Sequence, residues 1–194
     1  ITSLFLSFFI IKELKVNVLF YTILISAAFY LFFITIKELL NIKFNNLPQS
    51  ISHFGFSLLI LSILFNSIFS SETITNIKVG ERHSFKNNEI FFEKIEEKKE
   101  SNFNSIIGYF KIKDQNGKMI KLKPEIRIFN KPTMITSEAD IKTTLLNDKF
   151  LVMNLVKGGE YFNIRYQVKS FMIWIWISVL LMSFGGAVSL FRKI

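Results

Sequence analysis

Hydrophobic and polar positions divide this chain into two regimes: long apolar runs toward both ends, and between them a stretch of short segments rich in charge. About 20 mostly apolar residues suffice to cross a hydrocarbon core roughly 30 Å thick. Runs at 16–36, 50–70 and 171–191 reach that length, and the first of them contains no charged side chain. Each is expected to be a transmembrane helix. Residues 1–11 (I-T-S-L-F-L-S-F-F-I-I) are apolar but too short to cross alone, so they predict the tail of a span that begins upstream. No basic region or small-residue cleavage site precedes them, which argues against a cleaved signal peptide. Residues 37–49 read as a polar connection, with Pro48 ending one helix and allowing the next to begin.

Within 71–169 the period changes from helical to strand-like. Phe162, Ile164, Tyr166 and Val168 alternate with Tyr161, Asn163, Arg165 and Gln167, the two-residue repeat of a strand with one buried face. Asn116-Gly117 predicts a hairpin between residues 106–113 and 119–129, because both residues tolerate positive φ. Gly158-Gly159 predicts a second, between 150–156 and 161–168. The mixed charges of 93–100 (E-K-I-E-E-K-K-E) suit a solvated strand end or loop. The expected fold class is therefore a membrane protein. It has three full transmembrane helices plus a partial N-terminal one, and a small antiparallel all-β extramembrane domain (71–169) between the last two spans.

Composition sharpens this picture. Half of the 194 residues are hydrophobic, 23 are phenylalanine, and there is no cysteine, which excludes disulfides, thiolate metal sites and thiol redox chemistry within the chain. The net charge of +9 suits anionic lipid or an acidic partner surface. No basic helix or recognised motif concentrates it, so nucleic acid is not an expected partner. The Phe, Ile, Lys and Asn bias fits an AT-rich, organellar genome. Arg192, Lys193, Lys37 and Lys43 against Lys12 and Lys15 put the β-domain on the outer side of the membrane by the positive-inside rule.

Small residues at two places suit close helix contact: Ser26, Ala27 and Ala28, where ordinary packing is favoured over a cofactor seat, and Gly185 with Gly186. Trp174 and Trp176 lie where amphipathic rings meet a membrane surface. The costly residue is His53, close to the N-terminal end of the 50–70 span. An ionisable side chain inside a span is a functional-site hypothesis, and imidazole is a common ligand for haem iron. Two readings stand open: a metal or haem ligand, or a histidine near the headgroups bonded to a neighbouring helix or water.

Several segments together resemble the C-terminal part of the cytochrome c maturation haem lyase family (CcmF type). S-H-F-G-F-S-L-L-I-L-S-I at 52–63 is similar to its histidine-glycine span, L-K-P-E-I-R-I-F at 122–129 to its L-x-P-E-x-R-x-Y segment, and T-S-E-A-D-I at 136–141 to the T-E-A-x-I that follows. N-D-K-F-L-V at 147–152 matches the start of a strand, and W-I-W-I-S-V-L-L-M-S-F-G-G-A-V-S-L at 174–190 the closing tryptophan and glycine-rich span. Phe129, Ser170 and Ser178 depart from the family's tyrosine, proline and glycine. The tryptophan-rich WWD segment and its flanking histidines are absent from this sequence, as expected of a split mitochondrial gene or a piece of a longer protein.

The resemblance implies that His53 is an axial ligand of an integral haem b, which supports covalent thioether attachment of haem to apocytochrome c. Beside it, Gly55 and Ser57 lack bulk that would obstruct a flat macrocycle. The second axial ligand and the WWD segment are then expected from N-terminal haem lyase subunits. Further implied partners are apocytochrome c, haem delivery and thiol-reducing maturation factors, and membrane lipid. The chain alone is not expected to be an active holocytochrome c synthase. His83, in a polar turn leading into the β-domain, is given no role in the haem site. Glu125, Arg127 and Glu138 are candidates to touch haem propionates or the apocytochrome, with a charge network inside the β-domain as the favoured reading. The mitochondrial inner membrane is implied, the β-domain facing the intermembrane space, with a bacterial inner membrane as the alternative. In that orientation His53 lies in the inner third of the bilayer, and an electron must cross to the substrate haem. The rival function is a non-catalytic membrane assembly subunit of a respiratory complex; a transporter ranks last.

Overall fold

A computed structural model describes residues 2–4, 7, 18–41, 46–114, 117–156, 158 and 160–191. The expected partial segment at 1–11 lies largely outside the described residues, of which 2–4 and 7 are helical. The chain forms two compact units, one from Ile1–Phe69 with Ser170–Ile194 and one from Ser70–Lys169.

The first unit contains helices α1 (Val18–Leu40), α2 (Leu47–Phe69) and α3 (Met172–Phe191), each long and apolar enough to span a bilayer. Helix is the form such segments must take, because hydrocarbon offers no partner for an unsatisfied backbone N–H or C=O. The expected connection at 37–49 is shorter in the structure. Residues 37–40 continue α1, and α2 begins at Leu47 with Pro48 in its first turn, where a missing N–H costs nothing.

α2 is the central helix, and it uses different chemistry on each neighbour. Toward α3 it offers small residues. A Cβ on Gly55 would meet Met182 Cγ at 2.9 Å and Ser178 O at 3.0 Å, while one on Gly185 would run into Ser52 Oγ and the Pro48 carbonyl. Lost side-chain bulk is what allows two helices to approach closely in lipid, where dispersion contacts drive association. Gly186 does not share this role, since a Cβ there meets nothing within 4 Å. At the far end Asn66 Nδ2 donates to the Ser170 carbonyl at 2.6 Å, and Phe65 packs on Phe171.

Toward α1, α2 packs Leu61 against Ile25, Ala28 and Phe29. Ala28 is thus a packing residue, as expected, whereas Ala27 is exposed. A hydroxyl pair, Thr35 with Ser57, crosses the same seam at 2.7 Å.

The second unit is a β-sandwich. One sheet has the order β1 (Ser71–Ile77), β10 (Phe162–Ser170), β9 (Asn147–Leu155), β8 (Asp140–Thr143). The other runs β2 (Arg82–Phe85), β3 (Asn88–Lys99), β4 (Phe103–Lys113), β6 (Glu125–Phe129), β7 (Met134–Glu138), with β5 (Met119–Leu122) also paired to β4. First and last strands pair antiparallel from Ser71↔Val168 to Ile77↔Phe162. The chain therefore enters and leaves the domain side by side.

The core is drawn from both sheets. Phe92 and Phe110 stack with centroids 4.2 Å apart, Phe162 meets Phe92 edge-on, and Ile90, Ile112, Leu151, Met153 and Ile164 close around them. In β10 the inward residues are those the alternation selected. The Gly117 hairpin forms between β4 and β5, with φ +73° at Gly117; Gln115 and Asn116 lie outside the described residues. What sequence read as one strand at 119–129 is two, because Pro124 has no N–H to give the ladder. Pro124 instead accepts from Gly108 N–H at 3.0 Å. Of the run at 93–100, residues 93–99 are the far half of β3, exposed apart from Ile95, which packs on the core.

Candidate functional site

His53 sits six residues into α2, roughly 9 Å from its start at 1.5 Å per residue. Its Nδ1 lies 3.4 Å from Glu38 Oε2, in the last turns of α1. Both side chains are about half exposed, 50% and 47%, so neither is enclosed by the three helices. Among the described residues Glu38 is the one hydrogen-bond partner of His53. One turn deeper, Thr35 faces Ser57 and the Phe32 ring packs on Phe54 at 5.7 Å, which fixes how the two helices slide past each other. On the Glu38 side a cleft of about 450 Å³ is lined by Ile34, Lys37, Glu38, Asn41, Asn46, Gln49 and Ser50, and His53 does not line it.

Glu38 is the residue that sequence reading missed. The polar pattern of 37–49 places it in the connection, whereas α1 extends through Leu40 and presents its carboxylate to the imidazole. The available signal was a lone acid fifteen positions before a lone histidine, each at the facing end of its helix.

The space beside His53 is not where the sequence put it. Gly55 is filled by α3, and Ser57 is fully buried against Thr35. The open ground lies along Phe56 and Ile63, 49% and 50% exposed, which share a helical face with His53 at i+3 and i+10. A donor nitrogen beside an apolar, uncovered face fits a flat haem. No group of three or more His, Asp or Glu that could hold a bare metal ion occurs among the described residues.

His83 is in β2, in register with Ile90 of β3. Glu125 and Arg127 lie on one face of β6, and Arg127 Nη2 donates to Glu125 Oε2 at 3.1 Å. The guanidinium holds the Glu125 carboxyl below its ordinary range. Arg127 also lies over the Phe103 ring, and Glu138 stands opposite Glu125 in register, accepting from Thr136 Oγ1. Those contacts form a local network within the sheet.

Fold and site together define an integral membrane protein with a β-sandwich inserted between its second and third spans. The family model described as the CcmF C-terminal beta-sandwich matches residues 68–170. The chain belongs to the CcmF family and carries that family's C-terminal β-sandwich. The cytochrome c-type biogenesis protein ccl1 of Rhodobacter capsulatus is 30% identical over 143 residues, 73% of this chain and 22% of that protein. NrfE of Haemophilus influenzae is 22% identical over 170 residues, 87% of this chain and 27% of its own length. CcmF of Pseudomonas fluorescens is 29% identical over 139 residues, 71% and 21% of the two chains. A solved structure of the cytochrome c haem lyase CcmF superposes with a TM-score of 0.66 at 16% identity, covering 95% of this chain and 32% of that one. That likeness establishes the fold. This chain spans about a quarter of the length of these curated relatives.

Proposed function

We propose that this chain is the C-terminal portion of a CcmF-type cytochrome c haem lyase, in which His53 provides one axial ligand to an integral haem b. The observation that carries the reading is His53 itself, half exposed, held at Nδ1 by Glu38 and next to the open apolar face of Phe56 and Ile63. When bound, such a haem supplies an electron-transfer centre that keeps incoming haem iron reduced while its vinyl groups form thioethers with the Cys-x-x-Cys-His thiols of apocytochrome c.

The chain's own contribution is positional. α2, wedged between α1 and α3, fixes the imidazole; Phe56 and Ile63 offer a dry surface; the β-sandwich is part of the wall or docking surface of the ligation chamber. The second axial ligand is assigned to the family's remaining length, together with the WWD segment. Partners on this reading are N-terminal haem lyase subunits, apocytochrome c, and haem delivery and thiol-reducing factors. The setting is the mitochondrial inner membrane, with the β-domain in the intermembrane space, or a bacterial inner membrane. Each relative named above is a cytochrome c biogenesis protein, which favours this function over a respiratory assembly subunit.

The test is the haem b spectrum of the chain purified with its partners, with and without His53→Ala. Loss of the bis-histidine signature is expected; an unchanged spectrum would remove His53 from the iron. Protease added to the outer face of intact membranes is expected to digest residues 71–169, and full protection would reverse the orientation.

A further inference from the structure

We propose that Glu38 is the positioning residue for His53, selecting the tautomer that leaves Nε2 free for iron and strengthening the imidazole as a donor. The inference rests on the haem-ligand reading above. Three observations lead to it. Glu38 Oε2 is 3.4 Å from Nδ1, the nitrogen that a ligating histidine turns away from its metal when it binds through Nε2. Helix register brings the two positions together: Thr35 with Ser57 and Phe32 with Phe54 pack α1 on α2 nearby, which places residue 38 within side-chain reach of residue 53. Finally, both side chains are about half exposed, and the contact between them is the hydrogen bond that His53 makes among the described residues.

The chemistry follows from the general behaviour of metal-bound imidazole. A ligand histidine usually donates its second N–H to a carboxylate or carbonyl, which fixes ring orientation and raises basicity. A stronger imidazole donor favours ferric over ferrous iron, so the carboxylate would lower the midpoint potential of the haem. A carboxylate paired with the imidazole at the membrane surface and having no further role would leave the midpoint potential and the retention of the haem unchanged.

Only two histidines occur in the chain, which makes a direct test possible. The full chain, labelled with 15N-histidine and held free of haem in lipid nanodiscs at mildly alkaline pH, shows two ring systems, and His53→Ala identifies the one from His53. Wild type is expected in the Nδ1–H tautomer. Glu38→Gln, which keeps an acceptor oxygen, is expected to retain it, and Glu38→Ala to lose it. In the assembled complex both variants are expected to raise the haem midpoint potential, and Glu38→Ala to lower haem retention about 10–100-fold. A wild-type ring in the Nε2–H form, or a tautomer and potential indifferent to Glu38→Ala while His53→Ala abolishes the haem, would overturn the role of Glu38 alone. A haem spectrum indifferent to His53→Ala would overturn the ligand reading and this inference with it.

Discussion

Thr35 Oγ1 lies 2.7 Å from Ser57 Oγ across the α1–α2 seam, with residue exposures of 3% and 0%. Each hydroxyl is also within bonding distance of a carbonyl in its own helix, Phe32 O and Phe54 O, both at 2.9 Å. Two protons thus serve three contacts, so one hydroxyl donates across the seam while the other donates back. Thr35→Val and Ser57→Ala are each expected to destabilise the helix pair by about 0.5–1.5 kcal/mol, the range for hydrogen bonds between membrane helices. A double-mutant cycle on unfolding from mixed micelles measures it. Zero coupling would mean that apolar packing alone sets the register.

The α2–α3 contact turns on one of two adjacent glycines. At Gly185 a Cβ collides with Ser52 and the Pro48 carbonyl, so Gly185→Ala is expected to cost about 1–3 kcal/mol through forced separation of the helices. Gly186→Ala meets open space and is expected to be near neutral. Thermal stability of the two purified variants makes the comparison; equal effects would contradict this interface.

Phe171 turns the chain from β10 into α3 with φ +60°, a conformation that costs an L residue about 1 kcal/mol or more. Its ring packs on Phe65 and Phe69. Phe171→Ala loses the ring and keeps the strain, whereas Phe171→Gly loses the ring and relieves it. The glycine variant is therefore expected to be the more stable by about 1 kcal/mol. The opposite order would mean that the positive φ at Phe171 carries no such strain.

Acid is expected to weaken the β-sandwich. Hydrogen bonds from Arg165, Lys111, Lys94, Arg127 and Lys78 hold Glu72, Glu93, Glu96, Glu125 and Glu160, respectively, below the ordinary value of 4.5. A folded carboxylate that gives up its proton more readily than the unfolded one stabilises the fold above 4.5. That contribution disappears as pH falls through the folded values. At the alkaline end, burial pushes the Tyr166 hydroxyl from 10.0 up to about 12, so stability is lost as pH rises from 10 toward 12. Circular dichroism of the β signal across pH tests both arms: Glu125→Gln is expected to flatten the acid limb and Tyr166→Phe the alkaline one.

Lys149 is 5% exposed and donates to Asp114 Oδ2 at 2.6 Å. Asp114→Ala would strand its ammonium and is expected to cost roughly 3 kcal/mol at most, reduced because the Asp114 side chain is 32% exposed. Lys149→Met, which removes the charge and keeps the volume, is expected to cost less. Chemical denaturation of the two variants compares them.

The sequence alone determined the architecture, because apolar run length and residue alternation are local properties that bilayer thickness and sheet pleating translate directly into helices and strands. It also determined the family, through segments spread along most of the chain, and singled out His53 as an ionisable group in an apolar run. What pairs with His53 was decided only by tertiary structure. Glu38 lies on another helix, and its approach depends on where α1 ends and how α1 slides on α2, quantities fixed by Thr35, Ser57, Phe32 and Phe54 together. The same limit hid the fates of the small residues. Gly55, Gly185 and Gly186 look alike in sequence, and only the path of the neighbouring helix makes two of them contacts and leaves the third open.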